Sequence, residues 1–383
     1  MSRLTTTLSC YWDKIQGSLF PWLAETLDPL TAKQQQLVEI LELIRIEEFL
    51  PNFDGCEGRP RKTRAAIARS FVAKTIYNMD TTTALIERLK TDRNMRRICG
   101  WESVRQLPSD STFSRAFAEF TTTKLPQKTH EALIKKTLEE EIIQHAASDS
   151  TAIEAREKAA IKPELKAATD KVIKKRGRPK KGEERPTPKP TRIERQQSMS
   201  LEEMLGDLPI VCDKGAKKTS KGHLMYWIGY KLHLSTVDGG IPVSAVVTSA
   251  SVHDSQVAIP LLTLTAERII NCYDLMDSAY DIPAITKYSH FLGHVPLVDK
   301  NPGRNQELEK ELEAERLARK VINFRYPEDH RYNERTVAER ANARLKDEFG
   351  ARKVRVRGGM KVACHLMFGV LVLAADQLIK LIN

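Results

Sequence analysis

Apolar residues recur with a period close to 3.6 through the first 140 residues of the chain. This pattern predicts four short amphipathic helices, over Gln34–Phe49, Arg64–Tyr77, Ala84–Leu89 and Ser111–Phe120. Helix-start signals support two of these boundaries, because Thr81 precedes the third segment and Ser109 precedes the fourth. The pattern therefore predicts an all-α region at the N-terminus.

The periodicity changes to 2 in the second half of the chain. Alternating apolar and β-branched residues predict a strand over Tyr226–Thr236 and a returning strand over Ile241–Thr248, joined by a hairpin turn at residues 238–240. Apolar segments at Ile269–Met276 and Val295–Val298 predict two more strands, which alternate with helical segments. A hairpin followed by alternating strands and helices indicates a mixed α/β core.

The longest apolar stretch lies near the C-terminus, at Val362–Ala375. It is shorter than the roughly 20 residues that span a bilayer, and charged residues flank it, so we predict a buried helix and no membrane association. The N-terminus shows no basic start followed by an apolar region, so we expect no export signal. The six cysteines include no Cys-x-x-Cys pair, which argues against a zinc site and fits a reducing cytoplasm.

Basic residues are concentrated in one segment of a chain whose net charge is +11. Between Ala155 and Arg195, fifteen Lys and Arg stand against six Asp and Glu, and prolines exclude a continuous helix, so we predict a mobile basic loop. Within it, KKRGRPKKG resembles an AT-hook, in which Arg176 and Arg178 would lie along a narrow A·T minor groove. The alternative is a generic phosphate-binding or solvated run. The overall charge favours a polyanionic partner.

A row of polar side chains follows one face of a helix predicted over Tyr332–Lys346. At about 100° per residue, Tyr332, Arg335 and Lys346 fall within about 40° of Glu339, and apolar side chains occupy the opposite face. Tyr332 could stack on a base or bind a phosphate. A charged row on a helix is more often a solvated face, so its meaning depends on acids elsewhere in the chain.

Two such acids, Asp149 and Asp277, each lie near the end of a predicted strand. Two separated acids and a helical one can form a two-metal site, in which divalent ions about 4 Å apart activate an attacking oxygen and neutralise a leaving one. Oxygen ligands without thiolates favour Mg²⁺ or Mn²⁺. Asp149, Asp277 and Glu339 would then be the catalytic metal ligands, and Arg335 and Lys346 would lie near the substrate phosphates.

Geometry separates these acids from their competitors. Asp274 lies three residues before Asp277 and therefore points to the other face of the strand. Asp254 follows His253 at the start of a predicted helix, where an N-cap role is favoured over a catalytic one. Asp299, near the end of a later strand, remains a candidate fourth acid or phosphate-loop cap.

The spacing of the polar row, Y-x2-R-x3-E-x6-K, matches the Y-R-E-K signature of bacterial insertion-sequence transposases with an RNase H-like DDE domain. Asp149 in DST and Asp277 in DSAYD precede the row in the same order, so the chain resembles this family over about residues 145–350. The helical segment Arg64–Phe120 is also similar to the N-terminal domain of the insertion-sequence 5 type. The resemblance implies an α/β fold in which an RNase H-like mixed sheet flanked by helices follows an all-α domain.

The same resemblance implies a DNA transposase that cleaves at the ends of its own element and joins the freed 3′-hydroxyls to target DNA. The three acids would hold two Mg²⁺ or Mn²⁺ ions, and the three other members of the row would hold the strand end. The partners would be the element ends and the target duplex, bound by a homodimer or higher assembly in the cytoplasm. The rivals are an RNase H-like nuclease, an inactive relative, and a basic DNA-binding protein whose acids only cap elements.

Three domains are expected. They are an all-α DNA-binding or dimerisation domain at residues 1–140, an RNase H-like catalytic domain at 141–350, and a C-terminal helix at 351–383 that packs on the catalytic core. The catalytic domain contains the basic insertion, taken as 155–222, which is unusually long for the family. It lacks the large β-rich insertion that some relatives carry before the final helix, and this leaves the route of strand cleavage open.

One helix of the first domain has the features of a DNA-recognition helix. Ser111, Ser114 and Arg115 lie on the outer side of the segment that follows Pro108, where they would suit contact with DNA. A plain packing or dimerisation helix fits the same pattern.

Overall fold

The structure is a computed structural model that describes residues 29–51, 63–160, 190–218, 223–303 and 305–382. The described N-terminal residues form six helices, α1 Ala32–Ile44, α2 Arg64–Ile76, α3 Thr82–Thr91, α4 Arg93–Ile98, α5 Asp110–Thr123 and α6 Leu125–Leu138. The helical N-terminal region that the apolar period predicts is present, and α4 and α6 add to the four predicted segments.

Local sequence sets two of these helix starts. Thr31 forms a capping box with Gln34 at the start of α1, and the Thr81 hydroxyl accepts a hydrogen bond from the Ala84 amide (3.1 Å) at the start of α3. Ser109 precedes α5 as predicted, but its side chain makes no capping hydrogen bond.

The apolar faces of α2 and α5 meet in a phenylalanine cluster. Phe71 packs against Phe113, Phe117 and Phe120 with ring centroids 5.1 to 6.2 Å apart. Phe368, from the C-terminal helix, lies 5.9 Å from Phe71. Burial of each such ring stabilises the fold by roughly 1.5–3 kcal/mol. The N-terminal helices and the C-terminal helix therefore share one core.

A six-stranded mixed sheet follows, with strands β1 Ile142–Glu154, β2 Asp213–Lys218, β3 Leu224–Val237, β4 Ile241–Ser249, β5 Ile270–Met276 and β6 Val295–Val298. The central strand β1 pairs antiparallel with β3 and parallel with β5, and β5 pairs parallel with β6. The strand order is β2-β3-β1-β5-β6, and β4 pairs with the same edge of β3 as β2. The predicted mixed α/β fold class is confirmed, and the arrangement is consistent with an RNase H-like domain.

The β3–β4 hairpin forms where the sequence predicts it. Gly239 and Gly240 in the turn have φ angles of 82° and 77°, a region that residues with a Cβ rarely adopt. The edge of β3 has two partners, since residues 224–229 pair with β2 and residues 230–237 pair with β4.

The predicted mobile loop at 155–222 is folded in its second half. That half contains two short helices and a strand, α7 Arg192–Gln196, α8 Leu201–Asp207 and β2. Thr191 and Ser200 each form a capping box at the start of a helix. Pairing with β3 holds β2 in the sheet, and this contact is not visible in the local sequence pattern.

The helices that flank the sheet are α9 Ser255–Ala266, α10 Pro283–Phe291, α12 Pro327–Asn333 and α13 Thr336–Glu348, and α11 Gln306–Val321 comes between α10 and α12 in the chain. Helix α9 packs on β3 and β4, and α13 packs on β1 and β3. None of the residues of α11 is buried.

The apolar C-terminal stretch forms helix α14, Gly359–Ile382, which packs against β4 and against α1, α2, α5 and α6. The predicted buried helix is therefore confirmed. Within the described part of the chain, it is the one helix long and apolar enough to cross a membrane, and 89% of its most apolar window is buried inside the protein. Such burial is typical of a core helix.

Candidate active site

Two neighbouring parallel strands bring Asp149 and Asp277 to the same level of the sheet. Ser148 of β1 pairs with Met276 of β5, and the two aspartates are the next residues of their strands. Neighbouring strands lie about 4.8 Å apart, so both carboxylates are at one edge of the β1–β5 pair. The prediction that Asp149 lies near the end of its strand is wrong. Strand β1 continues beyond Asp149 to Glu154, where it pairs with β3.

Both carboxyl groups are partly buried, and burial raises their pKa. For Asp149, the Ser150 amide and the charges of Lys217 and Arg335 oppose this effect. For Asp277, the negative charge of Asp254 raises the pKa further, and the Ala279 amide, which donates to its carboxylate (2.9 Å), lowers it. The two acids are therefore held in an environment that disfavours unpaired negative charge.

Helix α13 is fixed over these strands by apolar packing. Val337 and Ala338 contact Ala147 of β1 and Leu275 of β5. One turn later, the buried Asn342 amide nitrogen donates to Asp149 Oδ2 at 2.9 Å. The predicted helix thus lies against the predicted acids.

Glu339 lies at the rim of this site. Its side chain is 53% exposed, and its Oε1 lies 2.7 Å from Arg335 Nη2. The same guanidinium interacts electrostatically with Tyr332, Glu339, Asp149 and Asp277. Arg335 thus stands between the helical acid and the strand acids. Within the described ranges, no three His, Cys, Asp or Glu side chains are close enough together to hold a metal ion.

The continuous helix predicted over residues 332–346 is interrupted. Tyr332 belongs to α12, a tight turn follows at Glu334 and Arg335, and α13 begins at Thr336. Despite the break, Arg335 lies 5.7 Å from the centroid of the Tyr332 ring. The Tyr332 hydroxyl donates to Asp299 Oδ2 (3.0 Å).

The other predicted DNA-binding residues lie elsewhere. Lys346 is half-buried, and its pKa is lowered by burial and by the charges of Arg352 and Lys217. Arg115 lies on the exposed face of α5, where its Nε donates to the Ser111 carbonyl of its own helix (3.3 Å). Arg176 and Arg178 lie outside the described residues.

Asp254 belongs to the site, and it occupies the N-cap position of α9 that the sequence predicts without acting as a side-chain cap. Its side chain makes no capping hydrogen bond and instead accepts one from Lys231 Nζ (2.8 Å), with His233 Nδ1 at 3.8 Å. Burial alone would raise the pKa of Asp254, but His233 and Lys231 hold it below its usual value. The signal was present in β3, where a lysine and a histidine two residues apart face the same side of an otherwise apolar strand.

The donor atoms of the site fit a hard divalent cation. The acids supply only oxygen ligands, which Mg²⁺ and Mn²⁺ prefer. Two buried polar atoms beside them have no hydrogen-bond partner in the described part of the protein, the Asn342 amide oxygen and the Tyr280 hydroxyl. The pKa of Tyr280 is raised by burial and by the negative charges of Asp254, Asp277 and Asp149, so its hydroxyl is within electrostatic range of all three acids.

A mixed sheet with carboxylates on two adjacent parallel strands, covered by a helix that carries an acid, is consistent with the RNase H-like domain of a polynucleotide-processing enzyme. The model of the transposase DDE domain matches residues 143–374, and that of a transposase domain (DUF772) matches residues 25–119. The chain belongs to the DDE transposase family, as the sequence resemblance predicted. No curated protein and no solved structure matches the chain significantly. The finer Y-R-E-K subtype stays a prediction.

Proposed function

We propose that this DNA transposase cleaves at the ends of its element and joins the 3′-hydroxyls to target DNA by two-metal-ion transesterification. The placement of Asp149 and Asp277 on adjacent parallel strands, beside Arg335, is the observation that carries the proposal. We further propose that a homodimer or higher assembly acts on DNA in the cytoplasm, because two element ends have to be joined together.

In this proposal Asp149, Asp277 and Glu339 hold the divalent ions. Bound ions would activate the attacking oxygen and neutralise the leaving one. Glu339 reaches its place when its carboxylate leaves Arg335. This change is small in energy, because an ion pair whose acid is half exposed contributes only about 0.2–1 kcal/mol.

The remaining residues of the row position the DNA strand. Arg335, released from Glu339, would bind a phosphate next to the scissile bond, where a cation stabilises developing negative charge. Lys346 would bind a phosphate further along the strand, and Tyr332 would stack on a base or bind a phosphate. In strand transfer, the element's 3′-hydroxyl gives up its proton to solvent and its oxygen forms a bond to a target phosphorus while the P–O3′ bond of the target breaks. The displaced target 3′-oxygen then takes up a proton.

A strand-transfer assay tests this function. The purified protein is incubated with a labelled duplex taken from the flanks of its gene and with an unlabelled target plasmid. We expect nicked ends and end–target joint molecules in Mg²⁺ or Mn²⁺, and loss of both with EDTA. Cleavage without joint molecules would instead indicate an RNase H-like nuclease, and products that resist EDTA would contradict metal dependence.

The basic insertion gives a separate prediction about affinity. A plot of the logarithm of the duplex-binding constant against the logarithm of salt concentration has a slope that reports phosphate contacts. Deletion of residues 174–181 is expected to flatten this slope by several units, because each lost phosphate contact changes it by about 0.9. If the segment is an AT-hook, the deletion should also weaken binding to A·T-rich duplexes more than to G·C-rich ones.

Fluorescence anisotropy between 50 and 200 mM salt measures both effects of this deletion. Replacement of the same eight residues by a Gly/Ser linker of equal length is the control for loop length. An unchanged slope would show that the segment does not contact DNA, and equal losses on the two duplexes would leave only the generic charge interpretation.

A further inference from the structure

A cleft of about 470 Å³ lies between the N-terminal helices and the C-terminal part of the chain, apart from the acidic site. Helices α2, α3 and α5 form one wall, and the segment after α13 together with α14 forms the other. Its lining includes five cations and two acids, namely Lys74, Arg156, Arg355, Arg357 and Lys361 with Asp80 and Asp110. The cleft is therefore positively charged.

Lys74 is the unusual member of this lining. Its side chain comes from the inner face of α2, and the residue is only 8% exposed. The ammonium forms no hydrogen bond or ion pair with any residue in the described ranges. Asp80 interacts with it electrostatically, but the Asp80 carboxylate is shared with Lys353 (3.7 Å) and Arg355 (4.0 Å). A lysine buried without its own counter-ion destabilises a fold unless an anion joins it.

Electrostatics around Lys74 agree with this geometry. Burial lowers the pKa of Lys74 to about 8. At neutral pH, Lys74 is therefore still protonated in most of the molecules. That charge also acts on His365 in the same lining, where burial first and Lys74 second lower the pKa of the imidazole to about 4. Phe71, Phe117 and Phe368 close the floor, and their apolar surface strengthens any ion pair formed above it.

The rim of the cleft supplies further donors for an anion. Arg156, Arg357 and Lys361 are exposed and have no ion-pair partner within the described part of the chain. Helix α3 begins at the cleft, because Thr81, Thr82 and Thr83 at its N-terminus belong to the lining, and the positive end of the helix dipole lies there. A largely buried lysine whose ammonium faces the cleft, with exposed cations at the rim, is the arrangement expected for one phosphate group.

The position of the cleft favours DNA as the source of that phosphate. Strand β1 carries Asp149 and ends at Glu154, and Arg156 follows at the cleft. At roughly 3.3 Å per residue, the rim begins about 20 Å from the acids, which corresponds to on the order of six base pairs of B-DNA. Along the chain, Lys346 and Arg352 come between Glu339 of α13 and Arg355 of the cleft.

We propose that the cleft between α2, α3 and α14 binds a backbone phosphate of the element DNA several base pairs from the scissile bond, with Lys74 as its buried contact. This inference rests on the proposed function only in taking DNA as the polyanion. It gives Lys74 a counter-ion in the complex, because the charge that destabilises the free protein is neutralised when DNA binds.

The test combines a thermal shift with a DNA-binding measurement, and neither depends on cleavage. Lys74→Met should raise Tm in chloride by about 2–4 °C, because it removes an unpaired buried charge. Wild-type protein should gain Tm in inorganic phosphate over chloride at equal ionic strength, and Lys74→Met should not. For an end-containing duplex without divalent metal, Lys74→Met should bind about 5–10-fold more weakly, with a salt slope smaller by about 1.

Two further variants keep the result interpretable. Arg357→Gln with Lys361→Gln changes only exposed rim residues and should weaken DNA binding without changing Tm. Lys90→Met removes an exposed lysine at the other end of α3 and should leave the phosphate response unchanged. A phosphate response without any loss of DNA affinity would mean that the cleft takes a free phosphoanion and would overturn the DNA assignment. A fall in Tm for Lys74→Met, with DNA affinity retained, would show a structural lysine and overturn the whole proposal.

Discussion

Replacing Asp149 or Asp277 with asparagine is expected to lower the rate of strand cleavage by about 10³-fold or more, because each change removes a charged oxygen ligand from the proposed metal site. Binding of an end-containing duplex should change little, since its affinity comes mainly from cations on phosphates. Gel-resolved cleavage in Mg²⁺ measures the first effect, and fluorescence anisotropy measures the second. Substantial cleavage by either variant would contradict the assignment of these two acids.

The same two substitutions should not destabilise the fold. Burial raises the pKa of both carboxyl groups above the unfolded value. A raised folded-state pKa means that ionisation is less favourable in the folded protein, so stability in metal-free buffer falls as pH rises through that pKa. Neutral asparagine removes this penalty, and Tm in EDTA at neutral pH should stay the same or rise. A clear fall in Tm would indicate that the acids act structurally.

Asp274 offers a matched control for the Asp277 substitution. It lies in β5, three residues before Asp277. It points away from the site, as predicted, and its buried carboxylate accepts hydrogen bonds from Asn271 (2.9 Å), Ser289 (2.6 Å) and His294 (3.0 Å). Asp274→Asn should lower the free energy of unfolding by about 1–3 kcal/mol, because the amide cannot accept from all three donors. Cleavage measured well below its Tm should remain near that of the wild type.

Much of the fold was accessible from the sequence, because its signals are local. The period of 3.6 marks the N-terminal helices, and the Gly239–Gly240 turn marks the hairpin. The two short helices and strand β2 in the basic insertion were missed, because their stability comes from capping boxes and from pairing with β3. A charged, proline-rich composition hides such contacts from any local pattern.

The candidate site was predicted unevenly for a similar reason. The sequence predicts that both Asp149 and Asp277 lie near strand ends, but their adjacency comes from the pairing of β1 with β5, which three other strands separate along the chain. The rim position of Glu339 depends on its ion pair with Arg335. Helical spacing shows that the two side chains can meet, but it does not show which way the Glu339 carboxylate points. Asp254 was missed because its partners, Lys231 and His233, come from a strand more than twenty residues earlier.

Glu339→Gln is expected to lower the rate of strand cleavage by about 10³-fold while leaving the stability of the metal-free protein almost unchanged. The carboxylate is half exposed and, among the described residues, pairs only with Arg335, so its removal changes the free energy of unfolding by less than about 1 kcal/mol. The same variant should bind an end-containing duplex at least as tightly as the wild type, because Arg335 is then free to meet a phosphate. Cleavage, Tm and anisotropy on one protein preparation measure all three quantities.

Asp254 supplies the contrast that makes the Glu339 result decisive, because either residue could be the third acid beside Asp149 and Asp277. If Asp254 is structural, Asp254→Asn leaves Lys231 buried without its counter-ion and should lower the free energy of unfolding by about 2–4 kcal/mol, with cleavage retained below the reduced Tm. If Asp254→Asn abolishes cleavage at unchanged stability while Glu339→Gln keeps it, the third ligand lies on β4–α9 and not on α13. That outcome would reverse the proposed roles of the two acids.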